Sequence, residues 1–127
     1  MTDNAAVIRD FIAAGSRLDA DELAGFFTGD GVYHNMPARP VAGREAVRAF
    51  IAGFIQGWTE TRWEIVSLVA AGNIVVAERV DHTVSGGKAV SLPCCGVFEM
   101  RDGAIAVWRD YFDLQTYVAA LRPQAGS

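Results

Sequence analysis

The residues with most to offer chemically are Arg79, Asp81 and Asp110, charged groups set in runs that otherwise alternate like half-buried strands. In Ala77-Glu78-Arg79-Val80-Asp81, that alternation puts Arg79 and Asp81 on one face and Glu78, Val80 and His82 on the other. In Trp108-Arg109-Asp110-Tyr111-Phe112-Asp113, Trp108, Asp110 and Phe112 share a face, and earlier in the chain Tyr33 and Asn35 do so while His34 points away. An Asp-Arg-Asp cluster cannot be neutral unless one acid keeps its proton. Removing one partner from a buried ion pair costs ~3–5 kcal/mol, so an unbalanced trio is a poor choice for stability alone. Two carboxylates whose proton affinities are pushed apart by one cation are instead a general acid and a general base. Tyr33 and Asn35 add a hydroxyl and an amide, enough to hold a water beside the base. An acid, a base and a fixed water, with neither a metal nor a nucleophilic serine, suit the hydrolytic opening of a strained electrophile.

These groups need a sheet to meet on. Asn4 is expected to cap a first helix with Val7, Ile8, Phe11 and Ile12 on one face, and Asp19 a second, with Glu22 completing a capping-box-like pair. Gly29-Asp30-Gly31 ends the helical pattern and opens a short strand, Val32 to Asn35, followed by a loop marked by Pro37 and Pro40. Val47, Phe50, Ile51, Phe54, Ile55 and Trp58 then form a wide helical stripe, with Arg44, Glu45 and Arg48 opposite. From Thr61 the period changes to two. Turn signals at Ala71-Gly72-Asn73, Ser85-Gly86-Gly87-Lys88 and Arg101-Asp102-Gly103 cut strands of roughly 61–70, 73–84, 88–100 and 104–112, joined as antiparallel hairpins. Asp113 caps a last helix to about Leu121, and 122–127 reads as a frayed tail. The order α-α-β-α-β-β-β-β, closed by that helix, is an α+β fold with helices on one face of a bent sheet. All 127 residues read as one domain without repeat or linker.

Register decides whether the charges converge. A two-residue Gly86-Gly87 turn sets Arg79 opposite Cys94 and Asp81 opposite Leu92. A three-residue Arg101-Asp102-Gly103 loop also sets Asp110 opposite Cys94, about two strand spacings of ~4.8 Å from Arg79, a gap that an arginine spans. A two-residue Asp102-Gly103 turn would send Asp110 to the other face unless a bulge intervenes. The apolar set Leu92, Cys94, Gly96 and Phe98 leans toward the first count.

Composition narrows the rest. The chain is 51% hydrophobic and 20% charged, with eleven Lys+Arg against fifteen Asp+Glu and a net charge of -4. That argues against disorder and against a basic nucleic-acid surface. There is no G-x-G-x-x-G, phosphate-binding loop, H-E-x-x-H or G-x-S-x-G motif, and hence no sign of a nucleotide cofactor or a hydrolase elbow. No apolar run approaches a membrane span, and the polar start is unlike a secretory signal. Cys94 and Cys95, adjacent in sequence, are too close for an unstrained bridge and read as reduced thiols of a cytoplasmic protein.

Four segments together, Tyr33-His34-Asn35-Met36-Pro37, Glu78-Arg79-Val80-Asp81, Gly96-Val97-Phe98-Glu99 and Trp108-Arg109-Asp110-Tyr111-Phe112-Asp113, resemble the limonene-1,2-epoxide hydrolase family. The likeness runs from the first helix to the last. It implies a cone-shaped fold like that of nuclear transport factor two and ketosteroid isomerase, with a curved mixed or antiparallel sheet wrapped around helices, a deep apolar pocket, and a homodimer. It also implies roles: Asp110 the base, Asp81 the acid, Arg79 their bridge, Tyr33 and Asn35 the water holders, in a single displacement that turns an apolar epoxide into a vicinal diol. These roles select the register with Asp110 opposite Cys94.

Phe54, Trp58, Trp63, Leu92, Cys94 and Phe112 are the expected pocket walls; the two Trp and the Cys depart from the aliphatic lining expected for limonene epoxide. His34 and His82 face away from the site and have no third ligand at a suitable spacing, so no metal is expected. Glu78 and Arg109 should face outward, pairing across the sheet or at a subunit contact, and Val107 and Tyr111 suit an interface on that outer face. Two other readings remain: a ketosteroid-isomerase-like or polyketide-cyclase-like proton shuttle, which needs no fixed water, and a non-catalytic ligand-binding module.

Overall fold

In the computed structural model, which describes residues 3–122, four helices and five of the six strands follow the expected order with small changes at their ends. Helix α1 (Asn4–Ala14) is capped by Asp3 rather than Asn4, through the Ala6 amide at 3.1 Å. The short α2 (Ala20–Ala24) is capped by Asp19 as expected, but only half of the capping box forms. The Glu22 amide donates to Asp19, whereas the Glu22 carboxylate turns to Arg17 (2.8 Å), a stronger partner than a backbone amide. Strand β1 (Phe27–Asn35) starts five residues before the expected Val32, because Gly29-Asp30-Gly31 produces an irregularity within the strand and does not end it. The two-residue β2 (Val41–Ala42), which carries no sequence signal of its own, pairs with β1. Helix α3 (Arg44–Ile55) stops before Trp58, the first residue of β3 (Trp58–Ala71). β4 (Ile74–Ser85), β5 (Lys88–Arg101), β6 (Ala104–Phe112) and α4 (Leu114–Leu121) complete the chain. Apart from Arg122, the expected tail lies outside the described residues.

The six-stranded sheet has the order β2-β1-β6-β5-β4-β3. Its antiparallel hairpins are as expected, and β1 closes against β6 in parallel, which makes the sheet mixed. Bulges on β3 between Trp58 and Glu60 and between Ile65 and Ser67 interrupt its pairing with β4 and curve the sheet.

The last hairpin departs from the register favoured above. Its turn is the two-residue Asp102-Gly103, with φ of 52° and 78° at the two positions, both in the left-handed region that a tight primed turn requires. Uncorrected, that turn would point Asp110 outward. Between the pairs Met100↔Ile105 and Glu99↔Val107, however, β6 carries the extra residue Ala106. The bulge restores the phase, and Asp110 pairs with Gly96 rather than with Cys94, whose partner is Phe112. The face is the expected one, reached by a different count.

Helices α1 and α3 pack into the concave face. Phe11 is fully buried there, edge-on to Phe27, Phe98 and Trp108 with ring centroids 6.0, 5.9 and 5.1 Å away. Truncating it would cost ~3–5 kcal/mol. Gly15, just past α1, lets Trp63 come so close that a Cβ there would sit 2.6 Å from the indole. Of the α3 stripe, Val47 and Ile51 enter this core, while Phe50, Phe54 and Ile55 are only half-buried. Phe54 lines a cavity beyond the core, the one in which the charged residues meet.

Candidate active site

Four neighbouring strands, β1, β6, β5 and β4, carry the site on the concave face. Asn35 pairs with Asp110 and Tyr33 with Trp108 across the parallel β1–β6 ladder. Asp110 pairs with Gly96, which pairs in turn with Ala77; Arg79 opposes Cys94, and Asp81 opposes Leu92. Arg79 therefore reaches from β4 over β5 to β6. Glycine at 96 makes this path available: a Cβ there would lie 2.8 Å from Arg79 Nη1, 2.9 Å from Phe98 and 3.0 Å from Trp108 Nε1.

The guanidinium donates to all four carboxylate oxygens. Nε and Nη2 donate to Asp81 Oδ1 and Oδ2 at 3.1 and 3.0 Å, and Nη1 and Nη2 to Asp110 Oδ1 and Oδ2 at 3.0 and 3.0 Å. Paired bonds of this kind fix both the distance and the orientation of each acid. Side-chain exposure is 1% for Arg79, 8% for Asp110 and 14% for Asp81, so the trio lies almost wholly out of water. The indoles of Trp63 and Trp108 flank the guanidinium at 5.6 and 5.9 Å.

Burial sets the electrostatics. It pushes the Asp110 carboxyl above its ordinary value, against the pull of Arg79. Desolvation opposes the charge on Arg79, but Asp110 and Asp81 outweigh it and hold the guanidinium firmly protonated. Burial, reinforced by Asp110, drives the Tyr33 hydroxyl well up, so it remains a donor. Tyr33 stacks flat on Trp108 at 4.2 Å. Among the described residues, the buried Asn35 Oδ1 acceptor has no protein partner in the cavity wall beside Asp110, while the Trp108 Nε1–H donor, without a well-formed bond, still favours the Asp110 carboxylate. An unpaired buried group of this kind suits a polar guest.

The cavity has a volume of ≈ 140 Å³, with the trio, Tyr33 and Asn35 among its lining residues. Of the expected walls, Phe54, Trp58, Trp63, Leu92 and Phe112 line it and Cys94 does not. Sequence reasoning omitted Trp108, although it shares the face of Asp110, and Leu114 and Tyr117 of α4, whose three-residue spacing puts both on one side of that helix. Trp58 Nε1 donates to Tyr117 Oη at 3.0 Å and ties α4 to the start of β3.

Cys94 places its thiol, with carboxylate oxygens of Asp81 and Asp110, in a group whose atoms lie within 4.8 Å of one another. Ligand-type atoms so grouped could attract a cation. The carboxylates already accept from a guanidinium, however, and burial pushes the thiol upward so that it keeps its proton. His82 lies on the outer face, hydrogen-bonded to Ser91 and Glu64 at 2.8 Å each. Of the expected outward pairing, Arg109 joins Glu99 and not Glu78, which accepts from Ser67 instead.

The family model described as the SnoaL-like domain matches residues 8–108. The chain belongs to the SnoaL-like family. The chain is 32% identical over 107 residues to the epoxide hydrolase EphG of Mycobacterium tuberculosis, covering 84% of this chain and 71% of the relative. The structure of an M. tuberculosis LEH-like epoxide hydrolase superposes with a TM-score of 0.79 and 30% identity, covering 93% of this chain and 88% of that one. The resemblance to limonene-1,2-epoxide hydrolases thus holds in sequence and in structure. A proposed polyketide cyclase from Xanthomonas campestris pv. campestris matches with a TM-score of 0.85 over 94% of this chain and 96% of its own, at 23% identity. That likeness establishes the SnoaL-like cone and leaves the chemistry to the residues within it. No helix among the described residues is long and apolar enough to cross a membrane.

Proposed function

We propose that this SnoaL-like protein is an epoxide hydrolase that opens a small or cyclic apolar epoxide, such as one like limonene-1,2-epoxide, with water, in one displacement and without a covalent ester. The observation that carries the reading is the guanidinium of Arg79 shared between two carboxylates at the wall of an apolar cavity. A non-catalytic binding module would gain nothing from such a group.

In this mechanism the trio holds one proton, on Asp81, and Asp110 is ionised. Tyr33 and Asn35 hold a water against Asp110, Tyr33 as donor and Asn35 through its unpaired carbonyl oxygen. The water oxygen forms its bond to an epoxide carbon as the carbon–oxygen bond breaks. Asp110 takes the water proton, and Asp81 delivers its proton to the departing oxygen, which gives a vicinal diol. Burial, by raising the proton affinity of Asp110, makes it the stronger base once it is ionised. Return of the proton from Asp110 to Asp81 restores the starting state.

A single turnover in ¹⁸O-water tests the one-step route. Label is expected in the diol at the first turnover; label entering Asp110 first would mean an ester intermediate. The same reading has the protein working as a cytoplasmic homodimer paired through the outer face of the sheet, where Tyr111 is exposed; sedimentation velocity checks the pairing.

A further inference from the structure

The cavity that holds the trio has a wall more aromatic than its proposed chemistry demands. Phe54, Trp58, Trp63, Phe112 and Tyr117 line it, and Leu92 and Leu114 are the aliphatic contributors. Phe54 and Trp58 sit 5.2 Å apart with their planes 51° from one another. They therefore present differently directed faces and edges to one guest. The hydrogen bond from Trp58 to Tyr117 fixes both rings. A volume of ≈ 140 Å³ is close to that of the ~150 Å³ engineered cavities that take up benzene.

We propose that the preferred guest is an aryl-substituted epoxide, with its flat ring among Phe54, Trp58 and Phe112 and its three-membered ring at the carboxylates. The proposal rests on the epoxide hydrolase reading and specifies its substrate class. An aromatic guest gains edge-to-face contacts that a saturated ring of the same size does not make. Chemistry favours the same guest. Opening at the carbon that bears the aryl group builds positive charge there, and aromatic faces stabilise a nearby cation. Trp108 is itself sandwiched between Tyr33 and Phe98, so such a face comes from Phe54, Trp58 or Phe112 in the cavity wall. The water oxygen bonds to that benzylic carbon, the carbon–oxygen bond breaks toward Asp81, and the product is a 1-aryl-1,2-diol. The proton balance is that given above.

Two matched pairs, each differing in ring aromaticity at constant heavy-atom count, test the idea. Calorimetry on the whole protein should show 1-phenylethane-1,2-diol binding about fivefold or more tightly than 1-cyclohexylethane-1,2-diol. Trp58→Leu should bring the ratio near one, with Phe112→Leu as a second variant and circular dichroism as the check on folding. Styrene oxide should be turned over faster than cyclohexyloxirane, with ¹⁸O entering at the benzylic carbon. Equal or tighter binding of the cyclohexyl diol overturns the proposal even if both epoxides are hydrolysed. A phenyl preference in binding, with neither epoxide turned over, instead overturns the hydrolase reading and leaves an aryl-selective pocket.

Discussion

Replacing Gly96 with alanine adds a single methyl group to β5 and should damage a site whose charged members lie on other strands. The new Cβ would come within 2.8 Å of Arg79 Nη1, 2.9 Å of Phe98 and 3.0 Å of Trp108 Nε1. Trp108 cannot retreat, because it is stacked between Tyr33 at 4.2 Å and Phe98 at 5.5 Å. Arg79 must give way, and Nη1 is the atom that donates to Asp110 Oδ1. Losing one bond between charged partners costs about 1.5–3 kcal/mol. Stiffening of the unfolded chain by alanine offsets ~0.4–1 kcal/mol of that, which leaves a net loss of about 0.5–2.6 kcal/mol, centred near 1.5. Calorimetric melting should fall by roughly 3–10 °C for a domain of this size. The larger effect is expected on turnover, since misplacing a reacting group by ~1 Å can cost 10²-fold. Gly53→Ala, on α3 with nothing within 4 Å of its added Cβ, is the control and should leave melting unchanged or slightly raised. A Gly96→Ala protein that melts and turns over like the wild type would refute the pinning of Arg79 above Gly96.

Asp110→Asn should lower kcat by at least ~10²-fold while the far-ultraviolet circular dichroism stays native; retained turnover would remove Asp110 from the base role. Arg79→Ala should destabilise by ~3–5 kcal/mol in urea unfolding, because it leaves two buried carboxylates facing one another. Burial raises the Asp110 carboxyl above the ordinary 3.8, so its contribution to stability is present below that pH and is lost as pH rises through the native value. The stability advantage of wild type over Asp110→Asn should therefore shrink as pH rises from about 4. The acid limb of kcat/KM should lie above the ordinary carboxylate range, since Asp110 acts only when ionised. Asn35→Ala should reduce kcat more than it changes KM, because the lost amide holds water and not the epoxide; an unchanged kcat would favour a proton shuttle that needs no fixed water.

Hydrophobic period and turn residues made the sheet legible; face alternation put Arg79 and Asp81 together, and Asp110 joined them only through the turn count that the family resemblance selected. Asp102-Gly103 is itself the signal of a two-residue turn, and reading it as a three-residue loop compensated for a bulge that left no trace in the sequence. Nothing in Ile105-Ala106-Val107 marks Ala106 as the extra residue, because the bulge is fixed by what Ile105 and Trp108 must both bury. Gly96 was placed on the correct face, but its purpose needs three dimensions: clearance for a side chain that crosses from another strand is a property of no single segment. The parallel closure of β1 on β6 was equally hidden, since no turn joins strands so far apart in the chain. The lining residues Leu114 and Tyr117 sit on a helix whose docking depends on the finished pocket.

The single nitrogen Arg79 Nη2 donates to Asp81 and Asp110 alike, at 3.0 Å each. In the proposed cycle one carboxylate gains a proton as the other gives one up, so the trio begins and ends each turnover with the same total charge. The aromatic walls then enclose a neutral assembly before and after reaction, and diol departs without separating ions. Turnover of a neutral substrate should accordingly be nearly indifferent to ionic strength, unlike that of a site that recruits its substrate by charge.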